Sequence, residues 1–316
     1  MAQTDTTVIT QNMDVWFDRV FLVEFFPELL HLLFAQTRNL PNKAGTGTIR
    51  FRRYNALSQK TTALNEGVTP VADAMTISTV EATVKQYGSF LEFTDVLDYT
   101  TMDPVVTEAT MKQGKQAAET FDSLMRDELV TGTNVSYGGD ATSRVTLAAG
   151  DVITTTLLDA AILALKNNDV PKIKSMINPS TFVGTQSVRA AYVSIVHPTI
   201  GAQIQALTGF IDVKDYGSQA DVLPAEIGAY KDIRFIESTN AKIFEDAGAS
   251  SEDVYPILIF GQEAYGRTQV SGKELETVRQ MPTDPLKQRY HVGWKGTFVG
   301  KILDNRAIQR IEVTAS

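Results

Sequence analysis

Residues 103–132 read DPVVTEATMKQGKQAAETFDSLMRDELVTG, the grammar of one long helix with both ends marked. Asp103 suits the N-cap and Pro104 the first helical position, where a missing N–H costs nothing. Gly132 suits a left-handed residue just past the end. Met111, Gly114, Ala118, Phe121, Met125 and Leu129 fall on one side at 3.6 residues per turn, and Val106, Ala117 and Leu124 widen that stripe. Lys112, Lys115, Gln116, Glu119, Ser123 and Arg126 fall on the other side, and the spacing predicts a surface ion pair between Asp122 and Arg126. At 1.5 Å per residue the helix would be roughly 40 Å long. Something equally long must lie along it, either more of this chain or a neighbouring copy.

Working back from the helix, the period changes to that of strands. In residues 48–54 Ile49 and Phe51 share one face and Arg50 and Arg52 the other. From Met75 to Phe93, Ser78, Val80, Ala82 and Val84 alternate with Thr79, Glu81, Thr83 and Lys85, and Gly88 is expected to mark a bulge or bend. The polar, turn-rich residues 58–74 make an open tip, so the two runs form a long hairpin arm. Such a hairpin is marginal alone and normally lies on something else. Gly45-Thr46-Gly47 starts like a dinucleotide fingerprint, but Arg50 stands where the third glycine belongs, and the segment reads as a hinge. Lys43, Arg50, Arg52, Arg53 and Lys60 cluster here, with Glu66 the first acid afterwards. Either they form a solvated strand face, or they meet the acidic body of another copy, where charge complementarity sets register and on-rate. Nucleic-acid contact here would be non-specific, since few aromatics are interleaved.

Earlier still, residues 1–12 are polar and read as an arm. Residues 13–36 crowd Trp16, Phe17, Phe21, Phe25 and other apolar side chains into a helical stripe that Pro27 should kink. That stripe is either a core helix pair or an arm buried against another subunit; its acids Asp14, Asp18, Glu24 and Glu28 speak against a membrane-surface helix.

Beyond the helix, residues 132–150 are turn-rich and suggest a domain boundary. The second half mixes types. Leu157, Leu158, Ala161, Ile162 and Leu165 predict a short helix ending at Asn167-Asn168. Strands are expected at 172–177, 192–196 and 232–237, and a helix opening at His197-Pro198 and running to Leu207. Ile257-Leu258-Ile259-Phe260 predicts a central strand buried on both faces. The tail 291–313 predicts two or three more strands.

The composition bounds the function. Lys plus Arg total 29 against 37 Asp plus Glu, a formal charge of −8, which disfavours a dedicated duplex-DNA reader. The chain has no cysteine, so disulfides, thiolate metal sites and cysteine nucleophiles are excluded. The N-terminus lacks the basic start of a signal peptide, and no apolar run approaches the ~18 residues of a membrane span. His31, His197 and His291 are scattered, with no zinc-hydrolase pair, phosphate loop or nucleophile elbow anywhere. No catalytic, cofactor-binding or metal-binding residue is assigned, and the weight moves to a structural role.

The order of parts resembles the major capsid proteins of tailed double-stranded-DNA bacteriophages, the Johnson fold. Phrases along the chain look like the N4-type podovirus branch. They are Leu64-Asn65-Glu66-Gly67-Val68-Thr69-Pro70 at the tip and Tyr87-Gly88-Ser89-Phe90-Leu91-Glu92-Phe93-Thr94-Asp95 before the helix. Val196-His197-Pro198, Glu226-Ile227-Gly228, Ile233-Arg234-Phe235-Ile236-Glu237-Ser238-Thr239 and Gly293-Trp294-Lys295 follow. The resemblance implies an α+β chain: an N-terminal arm (1–44), an extended β-hairpin loop and peripheral strand (45–93), and a spine helix in a peripheral domain (94–149). A mixed α/β axial domain (150–290) and C-terminal strands (291–316) complete it. It implies self-assembly through hexamers and pentamers into an icosahedral virion shell around phage DNA, in the host bacterial cytoplasm. Arg50, Arg52, Arg53, Lys60 and Glu66 of the hairpin and Trp16, Phe17, Phe21 and Phe25 of the arm would be the inter-subunit contacts. Partners would be other copies, a portal, scaffolding and decoration proteins, and non-specifically the packaged DNA; no membrane and no cofactor is implied. Two alternatives stay open: an encapsulin-like nanocompartment shell, and a cytoplasmic α/β enzyme using His197 with Asp215 or Glu226.

Overall fold

The computed structural model describes residues 30–43, 45–67, 69–100, 105–174, 176, 187–218, 221–280, 285–286 and 288–315. Strand β1 (Gln36–Thr37) is followed by the hairpin strands β2 (Thr48–Tyr54) and β3 (Ile77–Thr83) and by β4 (Lys85–Thr94). Helices α1 (Asp95–Thr100) and α2 (Val105–Leu129) lead to β5 (Val135–Tyr137) and α3 (Thr155–Asn167). Then come β6 (Tyr192–Val196), α4 (Pro198–Gln205), β7 (Phe210–Asp212), β8 (Glu226–Tyr230) and β9 (Ile233–Glu237). The chain closes with β10 (Val254–Phe260), β11 (Tyr265–Thr268), β12 (Leu275–Gln280), β13 (Arg289–Ile302) and β14 (Ile308–Thr314).

Three sheets result. Strand β13 is the beam of a five-stranded sheet: β4 pairs along one edge, β12 and then β11 share the other, and β1 adds in parallel to β11. A mixed seven-stranded sheet runs β5-β14-β10-β6-β9-β8-β7. The third is the two-stranded hairpin β2-β3.

The long helix α2 lies on β13. Ala117, Ala118, Phe121, Met125 and Leu129 are buried, as the stripe predicts. Phe121 meets Trp294 edge-on (ring centroids 5.6 Å) and stacks on Phe298 (5.2 Å). Phe121, Met125 and Leu129 each contribute about 1.5–3 kcal/mol by leaving water. Two glycines of β13 let the helix approach. A Cβ on Gly300 would lie 2.9 Å from the Met125 sulfur. One on Gly296 would lie 2.5 Å from the Glu274 carbonyl oxygen and 2.7 Å from the Phe121 ring. Gly296→Val is therefore expected to lower unfolding free energy by about 1–3 kcal/mol, the cost of overpacking, read by denaturant titration. An unchanged midpoint would mean that helix and sheet are not packed this closely.

The seven-stranded sheet is covered on both faces, so its central strands read as unbroken apolar runs. Val193, Ile195, Leu258, Phe260 and Ile308 face the α2 core. Tyr192, Ile257, Ile259, Ile311 and Val313 face a second core with α3 and α4. Strand β10 is central, between β14 and β6, as expected from Ile257–Phe260.

Several expectations are corrected. Asp122 is not on the surface: it is fully buried, and Arg126 instead bonds the carbonyl and side-chain oxygens of Asn240, both at 2.9 Å. Gly132 is not left-handed; the helix ends without such a cap because Arg310 donates to the carbonyls of Val130 and Gly132. Gly88 makes no bulge. It pairs with Lys295 in unbroken register, and a Cβ there would press the Trp294 carbonyl at 2.6 Å. Of the strand expected at 172–177, the described residues form one bridge, Lys174 to Ala191. Asp103 and Pro104 lie outside the described residues.

Candidate assembly surface

The hairpin follows from its alternation. Thr48 pairs with Thr83 and Tyr54 with Ile77 in continuous antiparallel register. Gly45 takes φ +75°, a conformation suited to glycine, and opens the turn into β2. The body-facing side chains hold the base of the hairpin down. Phe51 packs on Gly266, where a Cβ would stand 3.4 Å from its ring. Arg53 pairs with Asp304, which also accepts from the Arg306 guanidinium at 3.0 Å. Beyond Tyr54 the limb has no strand until Ile77, and it is closed by Asn55 N–H donating to the Thr76 carbonyl at 3.0 Å.

That limb leaves large apolar side chains in water. Tyr54, Leu57, Leu64 and Met75 are each more than half exposed, and Val71 is 91% exposed. Apolar side chains left in water along one limb suit a contact surface. The sequence expectation rested on charge, and the structure redistributes it. Arg50 bonds Glu81 directly across the hairpin (2.6 Å), and Lys60 bonds Asp73 across the limb (2.7 Å). Arg52 and Glu66 are exposed with no ion-pair partner among the described residues. Trp16, Phe17, Phe21 and Phe25 lie outside the described residues. The apolar row was the missed signal, because polar and turn residues interrupt it in sequence.

Asp304 is a pH-sensitive fastening. Burial works against its charge, but the hydrogen bonds from Arg306 and Arg53 outweigh that and hold its carboxyl below the usual range. Its contribution is therefore full above the unfolded-state aspartate value near 3.9 and lost as pH falls through the lower folded value. Asp304→Asn is expected to cost at most about 1 kcal/mol at neutral pH, because Arg53 is half-exposed. That cost should vanish under strong acid, as read by hydrogen exchange at the hairpin base. A pH-independent difference would remove the ion pair from the account.

The turn at His31 is pinned to the body by the buried carboxylate of α2. Asp122 accepts the His31 backbone N–H at 2.7 Å, faces His31 Nδ1 at 2.6 Å, and accepts from Asn240 at 2.9 Å. Tyr265 donates to the His31 carbonyl at 2.7 Å. Asp122 sits four residues after Ala118 and three before Met125, inside the buried stripe; that position was the sequence signal for its role.

Two of the three candidate enzymatic residues have structural duties instead. His197 caps α4, accepting from Thr199 N–H, and burial pushes its imidazole down. Glu226 is sealed in the core by Arg234, bonded at both oxygens at 2.6 Å. Asp215 sits in a single helical turn, 213–215. Among the described residues no group of three or more His, Asp or Glu could hold a metal ion, and no helix is long and apolar enough to cross a membrane.

A hairpin limb, a long spine helix on a five-stranded sheet and a mixed second sheet together define the fold of tailed-phage capsid subunits. The capsid of Ralstonia phage GP4 superposes over 90% of this chain and 87% of that one, with TM-score 0.71 at 15% identity. The capsid of cyanophage Pam1 matches over 92% of both chains, with TM-score 0.68 at 11% identity. The phage capsid protein family profile matches residues 77–311, and the chain belongs to that family, one of virion structural proteins and not of enzymes. A curated relative, the major capsid protein of Pseudomonas phage KPP21, is 24% identical over 220 residues. That match covers 62% of this chain and spans 55% of the relative's length.

Proposed function

We propose that this chain is the major shell subunit of a tailed-phage head, assembling through hexamers and pentamers into an icosahedral container for double-stranded DNA. The observation that carries the reading is the exposed apolar limb of residues 54–77, which its own body leaves uncovered. In a closed ring each limb lies on the next copy and every such head-to-tail contact is satisfied. The family match supports the phage reading over a nanocompartment.

In this reading residues 1–44 are the arm, 45–93 the extended loop with its peripheral strand, 94–149 the spine region, 150–290 the axial domain and 291–316 the returning strands. Arg52 and Glu66 remain the free charges that would select register on the neighbour, and Trp16, Phe17, Phe21 and Phe25 would bury the arm. A portal, scaffolding and decoration proteins are the further partners, and contact with packaged DNA is non-specific. The phrases around Leu64–Pro70 and Tyr87–Asp95 favour the N4-type podovirus branch. Purified protein should sediment as capsomers and large particles, with round shells in negative stain. Monomers alone at high concentration, even with a scaffold supplied, would sink the proposal.

A further inference from the structure

We infer that the hinge of the hairpin is a binding site for a phosphate-class oxyanion. An open pocket of about 410 Å³ lies between the Gly45–Gly47 turn, Val84 and the five-stranded sheet. Lys43, Lys85, Lys273 and Lys295 line it, with Glu276 the sole acid among its lining residues. That is a local excess of three positive charges in a chain that is acidic overall. Glu276 is already engaged by Lys273 and by Lys295 (3.3 Å), and the hydrogen bond from Lys273, ahead of that from Lys295, holds its carboxyl below the usual range. Lys43 and Lys85 have no anionic partner among the described residues.

The backbone supplies the second half of the site. The N–H groups of Gly45, Thr46 and Gly47 have no acceptor among the described residues. Lys43 and Gly45 both take positive φ (61° and 75°), and no atom lies within 4 Å of where a Cβ on Gly45 or Gly47 would stand. Successive N–H groups in a turn with left-handed members make a concavity for anions. An oxyanion there would bridge the turn from one side and Lys85 from the other. It would add to the bond from Val84 N–H to the Gly47 carbonyl, 2.8 Å, in holding the angle at which the hairpin leaves the body.

The test uses unassembled full-length subunits, so it is independent of whether shells form. Amide exchange at residues 45–47 is followed with inorganic phosphate, with a short single-stranded oligonucleotide, and with chloride at matched ionic strength. The expected result is saturable protection of those amides, at least threefold, by phosphate or by the oligonucleotide, absent in chloride. Protection by inorganic phosphate assigns the free ion, and protection by the oligonucleotide alone assigns the phosphodiester of a nucleic acid. The double variant Lys43→Gln/Lys85→Gln, which removes no internal ion pair, should lose the protection while melting as the wild type does in chloride. No protection by either ligand, or equal protection in the double variant, would overturn the inference.

Discussion

Replacing residues 56–75 with a short Gly-Ser turn is expected to leave a folded, soluble subunit that forms no particles. The chain tolerates the cut because Asn55 and Thr76 already face each other, with the Asn55 side chain also donating to Thr76 Oγ1 at 2.9 Å. A new turn can close on that pair without disturbing the β2-β3 register. The removed segment contributes almost nothing to the subunit's own core, since Leu57, Leu64, Val71 and Met75 are all largely in water. The change in unfolding free energy should stay within about 0.5 kcal/mol, as for surface changes away from packed features. Assembly is another matter. Burying such a side chain fully contributes about 1.5–3 kcal/mol, and each copy presents four of them in the removed stretch. Loss of that contact at every position around a ring should eliminate sedimenting particles altogether. Normal shells from the truncated chain would show that the limb covers nothing.

The second large effect lies in the core. Arg234→Ala should destabilise the subunit by about 3–5 kcal/mol, the usual cost of leaving a buried charge unpaired. Arg234 is completely buried, as is the side chain of Glu226. The guanidinium also donates to the Asp221 carbonyl at 2.7 Å, while Glu226 accepts from the Tyr216 hydroxyl and the Leu223 backbone N–H, both at 2.7 Å. The Tyr216 hydroxyl is held neutral, first by burial and then by its bond to this carboxylate, which pushes its ionisation far up. The single variant strands Glu226 among these donors with its countercharge gone. The double variant Arg234→Met/Glu226→Leu should recover part of the loss, since apolar replacement of both partners removes the stranded charge but leaves the Tyr216 hydroxyl and the Leu223 N–H without this acceptor. Equilibrium denaturation of the three chains checks the order. A single variant as stable as wild type would mean that the pair is open to water.

The sequence was most legible where one periodic face meets one partner. Helix α2, the β2-β3 hairpin, α3 with its Asn168 end and the buried β10 all carry their pattern locally. Strands β11 and β12 do not. They are short, carry Arg267, Glu276 and Arg279, and are strands only because β13 runs beside them. Strand β5 is three residues long and depends on β14, far along the chain. The basic hairpin was visible, but the partners of Arg50, Arg53 and Lys60 were not. An ion pair such as Arg53 with Asp304 joins residues some 250 apart, and no local rule ties them. Asp122 was misread because a carboxylate on a helix is ordinarily solvated, and its burial depends on an acceptor-seeking turn at His31.

The hairpin is not a separate attachment to the body. Only Val84 separates β3 from β4, and β4 is held to β13 by ten consecutive residue pairs, Lys85–Thr94 against Arg289–Phe298. Tension drawn through the limb by a neighbour, as when a filling container swells, enters β4 at its end and runs along its length. Where that pull runs along β4, the ladder bears the load in shear, all rungs together, instead of unzipping rung by rung. Beneath it the beam is packed against the long helix, so mechanical strain passes into the layer that holds the α2 core.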